Sequence, residues 1–149
     1  MNLSEHFTLE EFEKSDYALR RGIPNKATPA TVENMQALCG VVMERVRAEF
    51  GNPIKINSGY RSPKVNKGIG GAATSQHLTG EAADFEVIGV RHHDVVKRIS
   101  QTAIPFDQLI YEGGEDGWVH VSHKRYGTQR RQVLTAVFVN GKAVYSAFT

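Results

Sequence analysis

Among six histidines and 16 acidic residues, one set has types and spacing suited to metal chemistry. His77 lies in Ser75-Gln76-His77-Leu78-Thr79-Gly80-Glu81-Ala82-Ala83-Asp84, where a polar stretch runs into an apolar one interrupted by Asp84. Read as a strand, Ala82 to Val87 alternates, so Ala82, Asp84 and Glu86 share one face and Ala83, Phe85 and Val87 the other. With the Ala83 face as core, Asp84 looks onto a surface that is polar or functional. In Trp118-Val119-His120-Val121-Ser122 the same alternation places His120 with Trp118 and Ser122, opposite Val119 and Val121. Two imidazoles and one carboxylate form an open ligand set for catalytic Zn²⁺, with one position left for water. The spacing fits a plain hydrogen-bonded His77–Asp84 pair equally well, so it suggests this chemistry without selecting it.

The elements that must position these residues are legible in outline. Thr8-Leu9-Glu10-Glu11-Phe12 reads as a capping box that opens a short helix. Thr28-Pro29 opens a second, longer one, along which Val32, Met35, Leu38, Cys39, Val42, Val46 and Phe50 recur at helical spacing until Gly51. Short extended runs follow at Ile54–Ile56, Ala82–Val87, Phe106–Tyr111 and Trp118–Ser122, with a helix over Arg91–Gln101. A closing hairpin, Leu134–Val139 and Lys142–Ser146, turns at Asn140-Gly141. The glycine-rich stretch from Pro63 to Thr79 reads as a long surface loop. The fold expected is α+β, one domain over residues 1–149, with N-terminal helices packed on a mainly antiparallel sheet.

Composition narrows the function classes. A length of 149 residues and 40% hydrophobic content suit one self-sufficient core. A net charge of +2 is too small for a dedicated nucleic-acid binder, and no apolar run reaches the roughly 20 residues of a membrane span. The lone Cys39 excludes an internal disulfide and a cysteine-rich zinc ribbon, and its place on an apolar helix stripe makes it a buried structural thiol.

Three blocks in order, Ser58-Gly59-Tyr60-Arg61-Ser62, Ser75 to Asp84, and Trp118 to Ser122, resemble the signature blocks of the zinc D-Ala-D-Ala metallopeptidases. That family includes DD-carboxypeptidases, vancomycin-resistance dipeptidases and phage endolysins, and shares its fold with the Hedgehog signalling domain. The Ser-x-His-x-x-Gly-x-Ala-x-Asp block is the specific one. Ser4 to Phe12 is similar to the start of phage and prophage members, and only the last hairpin lies outside the signature blocks. The resemblance implies that His77, Asp84 and His120 bind Zn²⁺, and that Arg61 holds the substrate or its developing oxyanion. A guanidinium fork suits either anion better than an ammonium would.

Family members commonly carry a catalytic acid shortly before the final histidine. Here the turn is longer and offers Glu112, Glu115 and Asp116. Glu112 is chosen as the base, because an antiparallel hairpin brings it beside Trp118, while Glu115 and Asp116 read as solvated turn residues. Ser75 and Gln76 are expected along the substrate groove. Tyr60 and Trp118 are either core rings or groove walls. His92 and His93 are expected to be exposed, His6 structural, and His123 on the strand face opposite His120.

The function implied is hydrolysis of amide bonds in peptidoglycan stem peptides, as a D-Ala-D-Ala carboxypeptidase or a stem-peptide endopeptidase of phage or prophage origin. A non-catalytic cell-wall-binding or phage structural module of the same fold is the alternative. The expected partners are peptidoglycan peptides, with no nucleic acid and no membrane insertion. The N-terminus lacks a signal-peptide pattern, so the expectation is synthesis in the cytoplasm and action on the bacterial cell wall, either after release by a separate phage pore protein or as a virion component.

Overall fold

The hydroxyls of Thr8 and Thr28 each cap a helix as their neighbours foretell. In the computed structural model, which describes residues 1–149, Thr8 and Glu11 form a reciprocal capping box at α1 (Leu9–Glu13), and α2 (Asp16–Arg21) follows, capped by Ser15. Thr28 and Pro29 open α3 (Pro29–Leu38), which passes through a widened π-helical segment, Cys39–Met43, into α4 (Glu44–Phe50). Gly51 ends it in the left-handed conformation. The inserted π turn shifts the apolar stripe, so Met43 is buried alongside Leu38, Cys39, Val42 and Val46.

Six strands follow: β1 (Ile54–Ser58), β2 (Ala82–Val87), β3 (Gln108–Glu112), β4 (Trp118–Ser122), β5 (Gln132–Val139) and β6 (Lys142–Ala147). They form one sheet in the order β1-β2-β4-β3-β5-β6. Every neighbouring pair is antiparallel except β3 with β5. Between β5 and β6, Asn140 and Gly141 both take positive φ, as a tight two-residue hairpin turn demands. Helix α6 (His92–Ser100) packs Val95, Val96 and Ile99 onto the same sheet.

Strand alternation divides this sheet into two faces. Ala83, Phe85, Val87, Leu109, Val119 and Val121 point into one cluster with the buried side chains of α3, α4 and α6. Burial of these groups, at roughly 25 cal/mol per Å² of apolar surface, is the main force holding helices to sheet. The alternate positions, among them Asp84, Ile110, Glu112 and His120, are left to line the opposite face. No helix is long and apolar enough to cross a membrane.

The stretch from Pro63 to Thr79 is the expected surface loop only in its middle, residues 69–75, and is helical on either side. Ser62 caps α5 (Pro63–Gly68), and Ser75 caps a 3-10 turn, Gln76–Thr79; Val65, Asn66 and His77 are buried. The histidine pair at 92 and 93 also departs from expectation. His92 is buried at the start of α6, and His93 packs against Tyr111 and Phe148. Both are covered by segments distant in sequence. Tyr60 is a core ring, 5% exposed.

Candidate metal centre

Cross-strand register brings the first two members of the site together. Asp84 on β2 stands directly opposite His120 on β4, and both face away from the helices. His77 arrives from the 3-10 turn and completes the group: the three side chains can present one donor atom each within 4.8 Å of one another. Oδ1 of Asp84 lies 2.9 Å from Nδ1 of His120 and 3.3 Å from Nε2 of His77.

The seat of His77 begins one element earlier. Its Nδ1 lies 2.6 Å from the carbonyl oxygen of Gly59, an obligate acceptor, so this nitrogen carries the ring proton and donates it. Gly59 is required there because a Cβ at this position would lie 2.8 Å from the Cα of Phe12. The ring's other nitrogen, Nε2, is then a lone-pair atom, fully buried and without a hydrogen-bond partner. It faces a carboxylate that can only accept. Two buried acceptors turned on one another call for a cation between them. Burial lowers the pKa of His77, so a second proton on its ring is the unfavourable choice. A neutral imidazole, a carboxylate and a second imidazole, with the first ring oriented by a backbone carbonyl, are the donor set that Zn²⁺ takes in catalytic sites. The residues present fit that ion.

The electrostatics agree. Burial would raise the Asp84 carboxyl, but the two imidazoles beside it, with the hydrogen bond from His120, hold it well below the usual carboxylate range. Burial would lower His120, yet its hydrogen bond to Asp84 and the Asp84 charge prevail and raise it. Without metal, a proton on His120 therefore occupies the role of the cation.

Arg61 and Glu112 flank this group. Nη2 of Arg61 is 3.8 Å from Oδ2 of Asp84, and Nη1 donates to Asn66 at 3.2 Å, while Nε is buried with no partner. A guanidinium with unused donors at the edge of a groove is disposed to accept an anion. Glu112 pairs with Trp118 across β3 and β4, and Ile110, two residues before it, pairs with His120. Glu112 is thus a diagonal neighbour of His120 on the same face, at a Cα separation of roughly 7–8 Å. Its Oε2 accepts from Trp118 Nε1 at 2.5 Å. Burial, then the Asp84 charge, raises its pKa, the direction that suits a general base.

The remaining candidates separate cleanly. Glu115 is exposed but not idle: its carboxylate accepts from the backbone N–H groups of His92 and His93 and from the Tyr111 hydroxyl, capping α6, which has no cap of its own. Asp116 is exposed in the turn. Ser75 and Gln76 border the groove, although Ser75 Oγ also accepts from the His77 N–H and Gln76 donates to Asp107. His6 pairs with Glu44 at 2.6 Å near the N-terminus, the structural role expected of it. His123 lies just past the end of β4 and outside the ligand set, its N–H donating to the Glu81 backbone carbonyl. Burial pushes the Cys39 thiol pKa up, which excludes it as a nucleophile.

Two contributors escaped the reading of the sequence. Asn66 holds Arg61 from within α5, and the Ser62-Pro63 pair, a cap followed by proline at the first helical position, was the available signal. The C-terminal hairpin supplies Leu134, Phe138 and Tyr145 to a groove of about 1310 Å³ that also contains His77, Asp84, His120, Arg61 and Glu112. The Asn140-Gly141 turn announced the hairpin but not its place beside β3.

Comparison with known proteins adds one match. The profile of a family described as Peptidase M15 covers residues 5–122, and so takes in the whole ligand set, Arg61 and Glu112. No curated protein matches the chain.

Proposed function

The chain belongs to the peptidase M15 family, a family of zinc metallopeptidases, and from that premise we propose that it hydrolyses amide bonds in peptidoglycan stem peptides, with Zn²⁺ held by His77, Asp84 and His120. The observation that carries this reading is the buried Nε2 of His77, unpartnered and 3.3 Å from the Asp84 carboxylate. Zn²⁺ in that place supplies Lewis acidity and makes a nucleophile available at neutral pH.

The chain's own residues do the rest. The Gly59 carbonyl keeps the His77 ring in one tautomer and orientation. Glu112, its pKa raised by burial, takes the proton from the attacking water and returns it to the leaving amine nitrogen. Trp118 Nε1–H holds that carboxylate in place. Arg61 pairs with negative charge on the peptide, either a terminal carboxylate or the oxyanion that develops at the scissile carbonyl.

The activity is that of a D-Ala-D-Ala carboxypeptidase or of a stem-peptide endopeptidase, of phage or prophage origin. The likeness of Ser4 to Phe12 to phage members supports that origin. Action on the cell wall after release by a separate pore protein, or from within a virion, belongs to the same proposal. A non-catalytic wall-binding role would leave both Glu112 and Arg61 in the groove without a task. Purified protein incubated with defined muropeptides should shorten the stem peptide by cleavage at one bond, seen by mass spectrometry. Unchanged muropeptides with zinc-loaded protein would overturn the proposal.

A further inference from the structure

The hairpin beyond residue 122 lies outside the family match, yet it builds one wall of the groove. β3 and β5 pair with Glu112 opposite Ala136, and β5 and β6 pair with Ala136 opposite Tyr145. Since Glu112 also pairs with Trp118, one row of residues, Trp118, Glu112, Ala136 and Tyr145, crosses four strands on the groove face. Ala136, fully buried, sits between Glu112 and Tyr145 in this row. Phe138, two positions along β5 on the same face, sets its ring 6.1 Å from that of Trp118.

These rings are unusually open. Phe138 is 49% and Tyr145 54% exposed, although both line the same groove as the ligand set. An exposed aromatic patch continuous with a reactive site is a binding surface in want of its ligand. Partial burial, then the charges of Glu112 and Asp84, raise the Tyr145 phenol, which fits a hydroxyl turned toward the site. The two ends of the groove differ in chemistry. Arg61 offers a cation at the β1–β2 end, and the hairpin offers flat rings, with Lys142 beside them, at the other.

We infer that the β5–β6 hairpin is a specificity element of this site, an inference that rests on the peptidase function proposed above: Phe138 and Tyr145, with Trp118, grip the aliphatic parts of an extended peptide on the side of the scissile bond away from Arg61. Reach decides the class of ligand. From β2 to β5, which carries Phe138, is three strand spacings, about 14 Å, and to β6, which carries Tyr145, four, about 19 Å, whereas a dipeptide spans about 7 Å and a pentapeptide about 17 Å before its side chains are counted. Only the longer peptide contacts both ends.

Trp118 is the sole tryptophan, so its fluorescence reports groove occupancy independently of turnover. Zinc-loaded wild type, Phe138→Ala, Tyr145→Ala and the double variant are titrated by stopped flow with a stem pentapeptide and with D-alanyl-D-alanine; KM and kcat are then measured on the pentapeptide or on the muropeptide that wild type cleaves. Val144→Ala, a half-exposed residue on the opposite hairpin face, serves as control. The double variant should bind the pentapeptide about tenfold more weakly, with KM raised to match and kcat, dipeptide affinity, zinc content and Tm unchanged. Val144→Ala should behave as wild type. Equal pentapeptide affinity and KM in wild type and double variant overturn the hairpin's role while leaving the peptidase standing. A loss confined to disaccharide-bearing muropeptides overturns it in favour of a sugar platform. A wild type that neither binds nor cuts any stem peptide defeats the proposed function and this inference together.

Discussion

His77 Nε2 and Asp84 Oδ1 are 3.3 Å apart, buried, and neither has a hydrogen for the other while the Gly59 carbonyl holds the ring proton on Nδ1. In the metal-free protein the nearest compensation is a proton on His120, whose pKa is raised by Asp84. Metal uptake must displace that proton. Zinc affinity should therefore weaken as pH falls through the range just above the ordinary histidine value of about 6.5 and below it. Competition titrations with a chelator across that range check this, and an affinity independent of pH would contradict it.

The Arg61 guanidinium approaches the ligand set through Asp84 Oδ2, at 3.8 Å, while its backbone N–H donates to the His77 carbonyl oxygen at 3.1 Å. Arg61→Ala should keep its zinc and lose about 10²–10³ in turnover on muropeptides, the usual worth of one donor aimed at developing charge. Arg61→Lys should recover part of that loss, since an ammonium cannot reproduce the fork. Wild-type rates in Arg61→Ala would show the guanidinium to be a bystander.

For Glu112 the effects on rate and stability have opposite signs. Its carboxyl is held above the ordinary range by burial and by the Asp84 charge. A raised folded pKa means that stability is lost as pH climbs from the unfolded to the folded value, so at neutral pH the ionised group destabilises the metal-free fold. Glu112→Gln should melt at the wild-type Tm or above it without zinc, yet turn over about 10²–10⁴ more slowly with zinc. Glu115→Gln should do the reverse: near-normal turnover, and a stability loss of about 1 kcal/mol from the weakened cap of α6. A dead Glu115→Gln beside an active Glu112→Gln would reverse the assignment.

Strand alternation sufficed to put Asp84 and His120 each on the face of its own strand opposite the core residues, because a period of two is local. Their partnership across β2 and β4 and the arrival of His77 are not local, and the family resemblance supplied them. Local signals also existed where the reading failed: Ser62-Pro63 marks the start of α5, but five glycine and alanine residues from Gly68 to Ala73 suggested a loop instead. The cover over His92 and His93 had no such signal. It depends on Glu115, Tyr111 and Phe148 folding over the start of α6, as the groove wall depends on the parallel pairing of β3 with β5.

Asp107 ties the site's supports together from the position just before β3. It is fully buried, accepts from Gln76 beside His77, and is gripped by Arg130 just before β5. Burial would raise its carboxyl, but the hydrogen bonds from Arg130 pull it down to about 2. Its contribution is present in full above the ordinary aspartate value of about 4 and drains away as pH falls toward about 2. Wild-type Tm should drop across that interval more steeply than the Tm of Asp107→Asn, which should already be lower at neutral pH. Parallel acid curves would remove Asp107 from this role.

Metal analysis of the purified chain tests the centre most directly. Wild type should carry one zinc per chain, and His77→Ala, Asp84→Ala and His120→Ala, folded by circular dichroism, should each lose it. Stoichiometric zinc in all three variants would contradict the assignment of these residues as the metal's ligands.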